Sequence, residues 1–374
     1  MNTHRFVGPV VALFLVAAVA SGIWYSHGRL LAEHDATERS RLEAAQTVAV
    51  HGLIGSEKDA FFADSQVQAA LARLHLAVSV EKAGSRAIAH GFNPQHDDFG
   101  FPSGAPAAAE LKALAQAPET FTPFYTPIVI ASWRPIAQIL EANGIVTERD
   151  DDYYITNLPA LVQLMQQHRR WKDLAGSDAF ATNKAVLVNS TDVRTSNSAA
   201  MYLSLASYIV NSQSVVQSQA DVDAVLPLMT ELFLRQGFQE SSSAAPFEDY
   251  LALGMGKTPL LVAYESQMVA FWLAHPERLH GDMVMLYPTP TVFSKHVLVP
   301  FNEKGRRLGE ALEHDPDLQE LAHQYGFRTG GSIKGPEVWE KHGIHTPPTV
   351  VDVIDPPSHE WLEKMITGIE QKFP

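Results

Sequence analysis

The chain has no cysteine in 374 residues. That excludes disulfides, a thiolate nucleophile, cysteine-ligated zinc and lipid attachment through cysteine. It also has no basic excess: 28 Lys and Arg stand against 42 Asp and Glu, a formal net charge of −14. This argues against a nucleic-acid partner, whose phosphates need a basic face. Local anion binding stays open, because one patch of an acidic protein can be positive. No repeat of fixed period and no long low-complexity tract occurs. Gly254-Met255-Gly256-Lys257-Thr258 resembles the end of a phosphate-binding P-loop, but Leu251 stands where the motif needs its first glycine. There is no Gly-x-Ser-x-Gly elbow. The 16 histidines are scattered, and neither His275 with His280 nor His342 with His345 has a zinc-motif partner set. No metal and no cofactor is expected.

One uncharged run is present, over residues 6–25. At about 1.5 Å per residue it just crosses a bilayer core of about 30 Å. Arg5 precedes it, and Trp24-Tyr25 sit where an interfacial aromatic belt would lie. Residues 1–25 are expected to be a single-pass signal anchor in the inner membrane. The alternative is a signal peptide cleaved near Ala18-Val19-Ala20 and release to the periplasm. Both place the rest of the chain outside the cytoplasm. Residues 26–46 are polar and read as a juxtamembrane linker.

From Thr47 onward, strand and helix patterns alternate, the mark of α/β layers around a largely parallel sheet. Three junctions share one design: an apolar run, a cluster of small polar residues, then a helix. They fall at Gly55-Ser56-Glu57-Lys58, at Ala83-Gly84-Ser85-Arg86, and at Asp192-Val193-Arg194-Thr195-Ser196-Asn197-Ser198. A helix start offers free N–H groups and the positive end of its dipole. Several starts facing one cleft make a site for a polar or anionic solute.

Further along, residues 91–106 are irregular, with room for a third strand end and a loop. Helices are expected over 135–142, 158–168, 199–210, 222–234, 267–273, 304–312, 318–325 and 360–373, and a strand over 260–264. Two long extended runs, 126–132 and 291–300, bracket the middle of the chain. If both cross between lobes, residues 47–130 plus 291–374 form one lobe and 131–290 the other, a hinged clamp.

These stretches, with Val262-Ala263-Tyr264-Glu265-Ser266, Leu286-Tyr287-Pro288 and Tyr325-Gly326-Phe327-Arg328 in order after them, resemble the type II periplasmic solute-binding proteins, in the branch with the molybdate-binding proteins. The resemblance covers roughly residues 47–328. It implies an α/β, two-lobed type II clamp with hinge strands, closing on a small-molecule or oxyanion ligand. It further implies a membrane permease or a signalling partner that reads the closed form.

The candidate ligand-binding residues are Ser56, Glu57, Lys58, Gly84, Ser85, Arg86, Thr195, Ser196, Asn197, Ser198, Tyr264 and Glu265. Ser56 and Ser85 can also be plain helix caps, and Lys58 a solvated first-turn charge. Arg86 offers a bidentate contact to an oxyanion, or a surface salt bridge. Capping accounts for one residue of the 195–198 cluster, not four. Glu265 would repel an anion unless paired with Lys or Arg, or met by a ligand amine or metal. No catalytic residue is expected. The competing functions are an enzyme on the same clamp, with Glu265 as base and Lys58 or Arg86 polarising the substrate, and a ligand-free scaffold with an apolar-filled cleft.

Overall fold

The computed structural model describes residues 47–149, 153–330, 335–347 and 352–373. The expected anchor and linker, residues 1–46, lie outside them. Among the described residues no helix is long and apolar enough to cross a membrane. The fold below belongs to the unit Ala49–Pro374.

β1 (Val48–Ile54) leads through a 3-10 turn, Ser56–Lys58, into α1 (Asp59–Ala63) and α2 (Ser65–Arg73). β2 (Leu76–Lys82) leads into α3 (Ser85–Gly91), and β3 (Phe99–Phe101) into α4 (Ala105–Ala115). The long β4 (Phe121–Trp133) is followed by α5 (Arg134–Ala142), the antiparallel pair β5 (Val146–Arg149) and β6 (Tyr153–Asn157), and α6 (Leu158–Gln166). Then come α7 (Asn197–Val210), α8 (Gln219–Leu234) and α9 (Ala244–Leu253). β7 (Leu260–Tyr264) runs straight into α10 (Glu265–Ala274). β8 (Met283–Thr289), β9 (Thr291–Pro300), α11 (Glu303–His314), α12 (Pro316–Gln324), α13 (Glu337–Lys341), β10 (Val353–Ile354) and α14 (His359–Glu370) complete the order.

The strands run β2-β1-β3-β9-β4-β8-β6-β5, with β7 also on β4 and β10 on β9. The sheet is mixed rather than largely parallel. β1–β3 and β6–β8 are parallel, whereas β3–β9, β4–β9, β4–β7 and β4–β8 are antiparallel. The cause is the pair of long strands: β4 runs against β7, β8 and β9, and β9 against β3 and β4, so together they separate the parallel patches, while the short β10 lies parallel on β9. β4 changes partners along its length. Residues 121–127 pair with β9, and residues 128–133 pair with β7 and β8.

Burial follows position in the sheet. β2 alternates buried Leu76 and Val78 with exposed Ala77 and Ser79, as an edge strand does. β7 is buried at every residue. α7 is buried from Asn197 to Ser207, which its lack of a charged residue permits. A large apolar cluster gathers residues 128–292, and the buried face of α14 (Leu362, Met365, Ile366 and Ile369) joins it. A smaller cluster holds Ile88, Leu111 and Val299. Beside it an aromatic chain runs from Phe61 through Phe124 to Phe327.

Helix starts differ in their caps, and uncapped ones occur both at the site and away from it, as at α5, α13 and α14. Asp64, Asn157, Ser218, Asn302 and Asp315 cap α2, α6, α8, α11 and α12 with their side chains. α3, α7 and α9 have no side-chain cap. Their first N–H groups are left for another partner.

Candidate functional site

The uncapped starts of α3, α7 and α9 open on one cavity of about 420 Å³. Ser56 and Glu57 enter it from the turn after β1, and Gly84 and Ser85 from the turn after β2. Ser103 comes from the turn after β3. Thr195, Ser196 and Asn197 face them from the start of α7, Ser243 and Ala244 from the start of α9, and Tyr264 from the end of β7. β1, β2, β3 and β7 each end at the cavity, and α7 and α9 start there from the loops that precede them.

Two contacts show how closely the opposing turns approach. A Cβ on Gly84 would lie 2.5 Å from the Thr195 carbonyl oxygen, and one on Gly104 would lie 1.9 Å from Asn197 Oδ1. The Asn197 amide reaches across: Nδ2 donates to the Ser103 carbonyl at 2.8 Å and to the Tyr264 and Ser294 hydroxyls at 3.1 Å each. Ser103 N–H donates to Ser85 Oγ at 3.0 Å, tying the second and third turns together.

Beneath the cavity lies a buried polar cluster. Lys58 Nζ donates to Glu57 Oε1 at 2.5 Å and to Ser103 Oγ at 3.0 Å, and sits 3.0 Å from His296 Nδ1. Ser103 Oγ donates to Glu57 Oε1. The Lys58 ammonium also lies 4.7 Å from the centre of the Phe101 ring. Burial pushes the Glu57 carboxyl up, but Lys58 and His296 outweigh it and hold the group well below the usual carboxylate range. Burial lowers the Lys58 ammonium against the pull of Glu57. Burial and the Lys58 charge push the His296 imidazole down to about 4. At neutral pH Glu57 is therefore a carboxylate and His296 a neutral imidazole.

Of the sequence candidates, Ser56, Glu57, Gly84, Ser85, Thr195, Ser196, Asn197 and Tyr264 line the cavity. Four others do not. Lys58 is fully buried under the floor. Arg86 turns away, donating to the Arg194 carbonyl at 2.9 Å and to Glu363 Oε2 at 2.5 Å. Ser198 is buried against the Thr191 hydroxyl at 2.7 Å and the Ser196 hydroxyl at 3.1 Å. Glu265 is fully buried, held by both Arg328 Nε at 2.6 Å and Arg328 Nη2 at 2.8 Å, with the Tyr287 hydroxyl donating at 2.6 Å. That carboxylate is no free base, and the tension between it and an anionic ligand is resolved by its guanidinium partner.

Sequence reasoning missed Lys82, Ser103, Ser241-Ser242-Ser243 and His296. Two of these had a signal. Ser103-Gly104 repeats the strand, small-polar, helix design, and the serine run immediately precedes a helical pattern. Nine of the lining residues carry a hydroxyl, and the space between them is open rather than filled by apolar side chains.

No family model and no curated protein sequence matches this chain. Solved structures do. The chain is similar to a periplasmic thiamin binding protein, with a TM-score of 0.54 and 10% identity over 86% of this chain and 96% of that one. It is similar to the apo ferric ion-binding protein A of Pasteurella haemolytica, with a TM-score of 0.52 and 9% identity over 86% and 95%. The third is the periplasmic binding protein AfuA from Actinobacillus pleuropneumoniae, with fructose-6-phosphate bound, at a TM-score of 0.51 and 10% identity over 87% and 97%. The chain thus has the mixed α/β fold of the two-lobed type II periplasmic binding proteins.

Proposed function

We propose that this protein is an extracytoplasmic solute-binding protein. Its lobes, residues 47–130 plus 291–374 and residues 131–290, close on a small polar or anionic solute. An anchor at residues 6–25 holds it at the inner membrane, and a permease or a signalling partner reads the closed form. The ligand residues are those that line the cavity: Ser56, Glu57, Gly84, Ser85, Thr195, Ser196, Asn197 and Tyr264. One observation carries the proposal: three separate polar turns, two of them following strands, deliver Ser56, Ser85 and Ser196 to a single cavity. Uncapped helix starts there leave N–H donors for a ligand. The fold's neighbours are named for solutes as different as thiamin and ferric ion, in keeping with capture rather than one fixed chemistry.

Native mass spectrometry of protein purified without refolding tests this directly. The expected spectrum holds a bound species that leaves on collisional activation. A chain at its bare mass, whose melting temperature no small solute raises, would sink the proposal.

A further inference from the structure

Resting on the solute-binding function above, the geometry points to a hydroxyl-bearing organic anion, not a proton-free oxyanion such as sulfate or molybdate, as the ligand of this cleft. The first observation is the Glu57 carboxylate. Its side chain is 6% exposed and lines the cavity. Oε1 is taken by Lys58 and Ser103, with His296 Nδ1 at 3.4 Å. Oε2 takes no hydrogen bond among the described residues. Oε2 opens on the cavity, so a ligand that displaces water from it has to donate in the water's place. Sulfate or molybdate has no proton to give at neutral pH and would meet that oxygen as a second anion. A ligand hydroxyl satisfies it.

The second observation is size. The cavity of about 420 Å³ holds the volume of about fourteen waters, within the range of organic-ligand pockets. A five-atom oxyanion would leave most of it wet. The third is the distribution of donors. α7 and α9, 14 and 10 residues long, both start on the cavity without side-chain caps. Their N–H groups suit an anionic head group. The Lys82 ammonium at the rim is held by Asp59 Oδ2 at 2.9 Å and would have to exchange that partner to reach a ligand. The remaining lining is largely hydroxyl, able both to donate to and accept from a polyol.

Calorimetry on the full chain at pH 7 tests this with four probes. Glucose 6-phosphate and gluconate carry hydroxyls on a phosphate and on a carboxylate, and so separate the two head groups. Propyl phosphate has the charge without free hydroxyls, and sodium sulfate is the bare anion. At least one hydroxylated probe is expected to bind tenfold or more tighter than propyl phosphate and sulfate. Glu57→Gln should cut that preference to under threefold. Where this variant does not fold, the wild-type comparison decides alone. Sulfate or propyl phosphate binding as tightly as the better hydroxylated probe overturns the inference, as does silence from both hydroxylated probes. If all four fail while native spectra still carry a bound solute, only this inference falls. If the chain is also at its bare mass and no small solute raises its melting temperature, the solute-binding function falls with it.

Discussion

His296 is fully buried beside an ammonium and a carboxylate, and the fold accepts only its neutral form. Its pKa falls from 6.5 to about 4 on folding. Between those values the unfolded chain binds the extra proton, so stability rises with pH across the window and is lost as pH falls through it. Glu57, also held low, adds loss in the same direction below its ordinary range. Denaturant titrations should show stability dropping by up to about 3 kcal/mol from pH 7 to 4 on account of His296. His296→Gln should flatten the slope between pH 6.5 and 4; an unchanged slope would remove His296 as its source. Glu265 makes a second residue-scale case. Glu265→Ala leaves Arg328 buried without its carboxylate, and unfolding free energy should fall by about 3–5 kcal/mol. A loss below about 1 kcal/mol would mean that water reaches the guanidinium.

Among the elements, the starts of α3, α7 and α9 matter more than their bodies. Neighbouring residues on a helix point about 100° apart; Ser85 faces the cavity while Arg86 turns to Glu363. At the junction of β7 and α10, Tyr264 lines the cavity while Glu265 turns to Arg328. The sequence marks where each polar junction falls, but not which of two adjacent side chains turns inward. That is why Lys58, Arg86 and Glu265 were legible as junction residues and not as buried or outward-turned ones. The strands β7 and β9 were legible to the residue: β7 is an uninterrupted apolar run between Pro259 and Glu265, and β9 is bounded by Pro290 and ends at Pro300. Asn197 tests the junction design: its amide spans turns from distant parts of the chain. Asn197→Ala should lower stability by about 2 kcal/mol through its lost buried hydrogen bonds, read by urea unfolding. Asn302→Ala, a cap remote from the cavity, should cost about 1 kcal/mol and leave solute binding unaltered. A comparable loss of binding from both variants would mean that the affinity tracks global stability instead.

For the molecule as a whole, the Gly84 contact with the Thr195 carbonyl limits how far the two sides of the cavity can come together. Gly84→Val should hold them apart and weaken solute binding by tenfold or more while circular dichroism stays unchanged. Equal affinity would place the closed contact elsewhere. The alternation of strands and helices and the two bracketing strands could be read from periodicity and proline placement. The mixed direction of the sheet could not, because pairing direction depends on where β4 and β9 return in space, not on their own composition.

The helix α14 closes the large apolar cluster with Leu362, Met365, Ile366 and Ile369, against elements laid down far earlier in the chain. Synthesis runs from the other end. Until residues 359–370 have emerged, the middle of the protein lacks the apolar helix face that packs on it, and the nascent polypeptide cannot reach its final packing. Completion of this cluster thereby waits for the synthesis of α14.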